Sequence, residues 1–198
     1  MDLGIANRIA MVAAASKGLG KAVALGLARE GVRLSICARG QVALTATAEQ
    51  IERETGVEVI WIVADVSNPA DAERFAEETA SHYGRIDILV NNAGGPPSTT
   101  FTETSPDDLL KAVELNLMSA VRLSKAVVPY MQKQRWGRII NIVSLAAKQP
   151  LEGLILSNVS RPAVLGLSQR MANELAKDGI LVNSVCPGYT LTDRVAEV

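Results

Sequence analysis

Metal-binding and disulfide-forming side chains are scarce in this chain of 198 residues, which has two cysteines and one histidine. Cys37 and Cys186 both lie in apolar, strand-like runs, which is typical of buried free thiols in a reducing compartment. Neither cysteine has a metal-ligand neighbour, and His82 lies between a helical pattern and a turn. We therefore expect no metal site and a cytoplasmic protein.

Charge of one sign and long apolar runs are also lacking. The 20 lysines and arginines are balanced by 21 acids, so the chain has no basic footprint for nucleic acid or for an anionic membrane. No stretch approaches the roughly 18 consecutive apolar residues of a membrane span. Residues 9–15 end in small residues like a signal peptide, but the run is short, Asp2 precedes it and a helix pattern follows, so we interpret it as a strand.

The sequence does have a regular alternation of apolar, strand-like runs with helical patterns. Because these runs show no polar face, they predict a parallel sheet covered on both sides, that is, a doubly wound α/β (Rossmann-type) fold in one domain, residues 1–198. The predicted strands are 9–14, 32–37, 57–63, 86–90, 138–143 and 180–185, and the later predicted helices are 41–54, 69–83, 105–134 and 160–177.

A glycine-containing turn joins the first strand to the first helix. Gly18 and Gly20 would let the backbone approach a pyrophosphate, toward which the free N–H groups at the start of the helix point. The alternative is a tight turn whose glycines serve packing alone. Polar or turn-forming residues also follow the other predicted strands, and carboxyl ends of parallel strands share one sheet edge, so the pattern favours a single cofactor cleft.

The residues at these strand ends resemble the short-chain dehydrogenase/reductase family over nearly the whole chain. The most specific motif is Asn91 to Gly94, and Ala14-x-x-x-Gly18-x-Gly20 matches the glycine signature except that Ala14 replaces its first glycine. Further residues that fall in the family's order are Asp65, Val66, Asn116, Ser144, Pro187, Gly188 and Thr192.

The resemblance implies a set of cofactor-binding residues. Asp65 would bind the adenine, and Asn92 would pack against the adenosine ribose and the sheet. Thr192 would lie at the nicotinamide. At Ala14, a positive φ or a close approach of the cofactor would cost strain and weaken binding. The whole set is Ala14, Ser16, Lys17, Gly18, Leu19, Gly20, Arg39, Asp65, Val66, Asn92, Ala93, Gly94, Pro187, Gly188 and Thr192.

The charge after the second strand favours NADP(H) over NAD. NAD-preferring sites place an acid there for the ribose 2′-hydroxyl, whereas a 2′-phosphate needs cations. This strand ends in Ala38-Arg39, and Lys17 precedes Gly18. Two solvated surface cations are the alternative explanation.

The catalytic set that the family implies is only partly retained. Asn116 and Ser144 are present, but Ser157 and Arg161 stand where the family has tyrosine and lysine. A serine hydroxyl is far less acidic than a phenol, and Arg161 could hold the nicotinamide ribose but could not relay a proton. Pro162 predicts that the helix starts or kinks there, which would place Ser157 and Arg161 on different faces.

Two other side chains are candidate proton donors, namely Lys148 in the loop after the fifth strand and Tyr189 after Pro187-Gly188. A solvated Lys148 and a Tyr189 packed against its loop are the alternatives. In the family, residues 190–194 begin the substrate loop, and a further helix and strand follow. We therefore expect the C-terminal end to be incomplete, and the substrate cannot be identified from the sequence.

The resemblance implies an NADP(H)-dependent oxidoreductase that reduces a small-molecule carbonyl, either a ketone or a 3-oxoacyl compound, with a degenerate proton-donor site. A noncatalytic NADP-binding homologue that serves as a partner subunit or redox sensor is the alternative, which the residues Ser157 and Arg161 favour. Family members pair through their long helices, so we expect a homodimer or homotetramer.

Overall fold

The computed structural model describes residues 2–192, and its centre is one sheet of six parallel strands in the order β3-β2-β1-β4-β5-β6. The change of direction between β1 and β4 opens a crevice at the carboxyl ends of the strands. This topology confirms the predicted doubly wound fold. The strands are β1 (Ile9–Val12), β2 (Arg33–Ala38), β3 (Val59–Val63), β4 (Ile88–Asn91), β5 (Gly137–Ile142) and β6 (Ile180–Val185).

In the described part of the chain, six α-helices cover the sheet, and local sequence signals account for several of their ends. Ser105 and Asp108 form a capping box at the start of α4, and Gly84 ends α3 in the left-handed conformation. The helices are α1 (Gly18–Arg29), α2 (Gln41–Thr55), α3 (Pro69–Tyr83), α4 (Pro106–Val113), α5 (Ser119–Gln134) and α6 (Ile155–Leu175).

Two of the predicted helices differ from the observed ones. The helix predicted over 105–134 is divided by a π-helical turn, Glu114–Met118, which contains Asn116. The helix predicted to start near residue 160 begins at Ile155, and Pro162 lies inside α6 rather than in its first turn. The expected separation of Ser157 and Arg161 is therefore wrong, since residues four apart in a helix lie on one face.

The core has one apolar layer on each face of the sheet. Along β1, Ala10 and Val12 pack with α1 and α2, whereas Met11 packs on the opposite face with α3 and α5. All four residues of β1 are buried, as a central parallel strand requires. Within residues 2–192, none of the helices has both the length and the apolar character of a membrane span.

Candidate active site

A cleft of about 1240 Å³ lies at the carboxyl edge of the sheet, and the segments that follow all six strands contribute to its walls. The structure brings together here every cofactor-binding residue that the resemblance implies except Gly20, which lies behind the wall. Ser144, Arg161 and Tyr189 line the same cleft, so two of the four candidate catalytic residues share a cavity with the cofactor-binding residues, whereas Asn116 and Ser157 do not line it. Asp193 and Arg194, in the expected substrate loop, lie outside the described residues.

The turn after β1 has the conformation that a glycine would favour. Ala14 has φ +48° and Gly18 has φ +56°. The left-handed region costs an L-residue with a Cβ roughly 1–2 kcal/mol. The positive φ expected to make alanine unfavourable at position 14 is therefore present, and this turn stores backbone strain in the cofactor-binding segment.

Gly20 allows the start of α1 to pack directly against this turn. A Cβ on Gly20 would lie inside the van der Waals distance of the Ala14 carbonyl oxygen and 2.7 Å from Asn92 Nδ2. The Asn92 amide in turn donates to the carbonyls of Ala13 and Ala14, each at 3.3 Å. Asn92 thus joins the end of β4 to the turn after β1. We call this turn and the start of α1, residues 14–20, the cradle.

Two cations stand at the adenosine side of the cradle. Lys17 and Arg39 are exposed and line the cleft, and Lys17 occupies the N-cap position of α1. Asp65 also lines the cleft, where one of its carboxylate oxygens accepts bonds from the backbone and hydroxyl of Ser67 at 3.0 and 2.7 Å. A helix start, a left-handed glycine and two exposed cations fit a dinucleotide that carries an additional phosphate.

Ser144 and Arg161 both lie near the end of β5. Ser144 caps a short 3₁₀ turn, Leu145–Ala147, and its hydroxyl accepts from the Ala146 N–H at 3.1 Å. Arg161 Nη1 donates to the Val143 carbonyl at 2.6 Å. The structure therefore places a permanent positive charge at the cleft wall, bound to the backbone of the residue that precedes Ser144.

Asn116 lies behind this wall. Its Nδ2 donates to the Ala112 carbonyl at 3.2 Å and to the Ser160 hydroxyl at 3.1 Å. It lines a void of about 20 Å³ together with Arg161 and with Asn91, whose buried Oδ1 has no hydrogen-bond partner among residues 2–192. This polar void has room for one water molecule.

The remaining proton-donor candidates differ in position. Ser157 is 7% exposed, in α6, and is not one of the residues that line the cleft. Lys148 is exposed and likewise does not line it. Tyr189 lines the cleft with a side chain that is largely accessible.

A buried polar ladder beside the site could not be identified from the motifs. Asn91, Asn141 and Ser184 lie in register across β4, β5 and β6. Asn91 Nδ2 donates to Asn141 Oδ1 at 2.7 Å, and the Asn141 amide donates to Ser168 on α6 at 2.8 Å. The polar Asn141 between two isoleucines of β5 was the available signal, and the ladder fixes α6 over the carboxyl half of the sheet.

Sequence reasoning also missed the far end of the cleft. Leu151, Leu154 and Leu156 line it, beside the loop that contains Pro96 and Pro97. Leucines before a helix are common, so their pattern carried no signal for a ligand site.

Comparisons with known proteins agree with this geometry. Residues 8–198 match the family model described as short chain dehydrogenase. A 3-oxoacyl-[acyl-carrier-protein] reductase of Synechocystis sp. is 36% identical over 187 residues, 94% of this chain and 75% of the relative.

Solved structures show the same likeness. An L-sorbose reductase from Gluconobacter frateurii, complexed with NADPH and L-sorbose, has a TM-score of 0.95 at 36% identity, and the alignment covers 98% of this chain and 74% of that one. A variant of actinorhodin polyketide ketoreductase with NADPH has a TM-score of 0.92 at 36% identity, and the alignment covers 97% of this chain and 74% of that one.

Proposed function

Because the chain belongs to the short-chain dehydrogenase family, we infer that it is an NADP(H)-dependent oxidoreductase that reduces the carbonyl group of a ketone or 3-oxoacyl compound. The observation that carries this inference is the shared cleft. It combines a phosphate cradle and two adenosine-side cations with Ser144 and Arg161. The proposed NADP-binding domain spans residues 1–198.

The cofactor would be held by the residues of the cradle. Backbone N–H groups at the start of α1 would bind the pyrophosphate, and Lys17 and Arg39 would bind the 2′-phosphate. Asp65 would bind the adenine edge, and Pro187 to Thr192 would line the nicotinamide. When bound, NADPH supplies a hydride to the carbonyl carbon.

Four residues would stand at the catalytic positions of the family. Ser144 would donate a hydrogen bond to the substrate carbonyl, and Arg161 would hold the nicotinamide ribose and stabilise negative charge on the oxygen. Asn116 would order a water in the void behind Arg161. Ser157 stands at the position of the family tyrosine but lacks an acidic phenol, so we propose that the proton-donor site is degenerate.

Tyr189 is the proton donor that we propose, because its phenol lines the cleft whereas Lys148 does not. General acid catalysis is typically worth 10²–10⁴-fold. Tyr189→Phe should therefore lower turnover by at least tenfold, and Lys148→Met serves as the matched control. Equal rates for the two variants would remove Tyr189 from the mechanism.

The replacement of tyrosine and lysine by Ser157 and Arg161 supports a second candidate, a noncatalytic NADP-binding partner subunit or sensor. The retained Ser144 and Asn116 support the enzyme. For either function we propose a cytoplasmic homodimer or homotetramer that pairs through α4, α5 and α6. The burial of Cys37 as a free thiol supports the reducing compartment.

The deciding experiment combines a titration of NADPH and NADH with NADPH oxidation against ketones, quinones and acetoacetyl-CoA. The reductase requires NADPH binding together with turnover of at least one carbonyl. Tight binding without turnover on any of them would favour the sensor, and absence of binding would refute both.

A further inference from the structure

Asn158 forms a pair of hydrogen bonds with the backbone of Leu151. The Leu151 N–H donates to Asn158 Oδ1 at 3.0 Å, and Asn158 Nδ2 donates to the Leu151 carbonyl at 2.7 Å. The carboxamide therefore satisfies both backbone groups of one loop residue, as a neighbouring strand residue would. Because Asn158 belongs to the first turn of α6, this pair fastens the preceding loop to the helix.

The same loop is joined to the segment that follows β4. The Thr99 N–H donates to the Gly153 carbonyl at 2.9 Å, and Thr99 and Leu154 form an isolated parallel bridge. The two loops thus make one continuous piece of cleft wall. Asn158 is the side chain through which that piece is anchored to α6.

This piece of wall carries apolar side chains on both of its loops, together with the hydroxyl residues Ser98 and Thr99. Near it, the polar lining residues Asp108 and Lys111 are engaged with each other at 3.8 Å. Hydroxyl groups placed against leucine side chains would lose their hydrogen bonds to water, whereas an alkyl chain would gain from burial. The apolar lining residues are Pro96, Pro97, Leu115, Leu151, Leu154 and Leu156.

We propose that Asn158 is a positioning residue that holds this apolar wall, and that the carbonyl substrate lays an alkyl or acyl chain against it. The substrate half of this proposal rests on the proposed reductase function. An apolar wall would disfavour polyhydroxylated sugars as substrates, although this chain shares its fold with an L-sorbose reductase. The carboxamide acts on the wall and not on the reacting carbonyl, so its loss should affect substrate binding more than the chemical step.

The test compares wild type with Asn158→Ala on methyl ketones from acetone to methyl hexyl ketone and on L-sorbose. Wild type should gain at least tenfold in kcat/KM from acetone to methyl hexyl ketone, and L-sorbose should be the poorest substrate. Asn158→Ala should raise KM for methyl hexyl ketone about tenfold, the loss expected for one to two neutral hydrogen bonds. The kcat and the Kd for NADPH should stay within about twofold.

Two further variants sharpen the comparison. Asn158→Asp keeps the acceptor for the Leu151 N–H but loses the donor, so its KM should be intermediate. Asn183→Ala removes an exposed carboxamide from β6 and should match wild type. Hydrogen exchange supplies a readout that needs no turnover, because the Leu151 amide should lose protection in Asn158→Ala and keep it in Asn183→Ala.

The outcomes separate this proposal from the proposed function. An unchanged KM and an unchanged Leu151 exchange rate in Asn158→Ala would overturn the positioning role, and L-sorbose outperforming methyl hexyl ketone would overturn the substrate class. If no carbonyl supports NADPH oxidation, the reductase function and the substrate class fail together. Loss of Leu151 protection would still support the role of Asn158.

Discussion

Arg161 donates a hydrogen bond from Nη1 to the backbone carbonyl of Val143 at 2.6 Å, so its side chain is tied to the residue before Ser144. A guanidinium fixed in this way acts as a permanent charge and hydrogen-bond donor and not as a proton relay. We propose that Arg161 keeps the electrostatic part of the role of the family lysine but not the part that moves a proton.

Arg161→Met removes this charge from the cleft, together with the bond to Val143. We expect the Kd for NADPH to rise about tenfold, because bonds to charged groups are worth roughly 1.5–3 kcal/mol. Arg161→Lys should recover most of the affinity. Arg170→Met, which removes an exposed arginine from the same helix, should leave the Kd unchanged; an equal loss in this control would show that Arg161 acts on the fold alone.

Arg39→Asp should weaken NADPH binding at least tenfold and leave NADH binding little changed. The substitution places a carboxylate where the 2′-phosphate would bind, and an acid at this point suits a ribose 2′-hydroxyl. Fluorescence titration with both cofactors measures the ratio. Arg53→Asp, the same change near the end of α2, is the control, and equal losses for the two cofactors in Arg39→Asp would refute the assignment of NADP(H).

Ala14→Gly should raise the free energy of unfolding by about 0.5–1 kcal/mol. Glycine adopts φ +48° without the steric cost that alanine bears, and this gain is partly offset because glycine has the greater conformational entropy in the unfolded chain. Affinity for NADPH should rise as well. Urea denaturation checks the stability. Ala15→Gly, at a buried neighbour whose φ is not positive, should instead destabilise the protein.

Gly20→Ala should abolish measurable NADPH binding and lower stability, because its Cβ would collide with the Ala14 backbone and with Asn92. Gly26→Ala lies in the same helix with nothing within 4 Å of its Cβ, so the higher helix propensity of alanine should leave stability equal or improved. Cofactor titration and thermal denaturation of both variants test this. Wild-type affinity in Gly20→Ala would contradict the described packing of the turn.

Cys37 should resist alkylation in the native protein, because full burial raises the pKa of its thiol to about 12. Since its folded pKa lies above the unfolded value of about 8.5, its contribution to stability is complete below that pH and is lost as the pH rises toward 12. Mass spectrometry after iodoacetamide treatment at pH 8 should find Cys186 labelled and Cys37 unlabelled until denaturant is added.

The sequence alone was enough to predict the α/β class, the number of strands and the edge on which the site lies. Apolar runs and helix ends such as Ser105 and Gly84 are local signals, and parallel strands share one carboxyl edge whatever their order. The positive charge of Arg39 and the unfavourable φ of Ala14 are equally local features, since each depends on one turn and its nearest residues.

Tertiary packing decided the rest. Pro162 costs a helix interior about 3 kcal/mol, yet α6 continues through it because Leu156, Ser160, Val164 and Ser168 are buried along its length. Three features depend on that continuous helix, because it brings together residues that are distant in the sequence. They are the hydrogen bond from Arg161 to Val143, the void beside Asn116 and the pair of hydrogen bonds between Asn158 and Leu151. No local pattern encodes such contacts, because they exist only after α6 has packed onto the sheet.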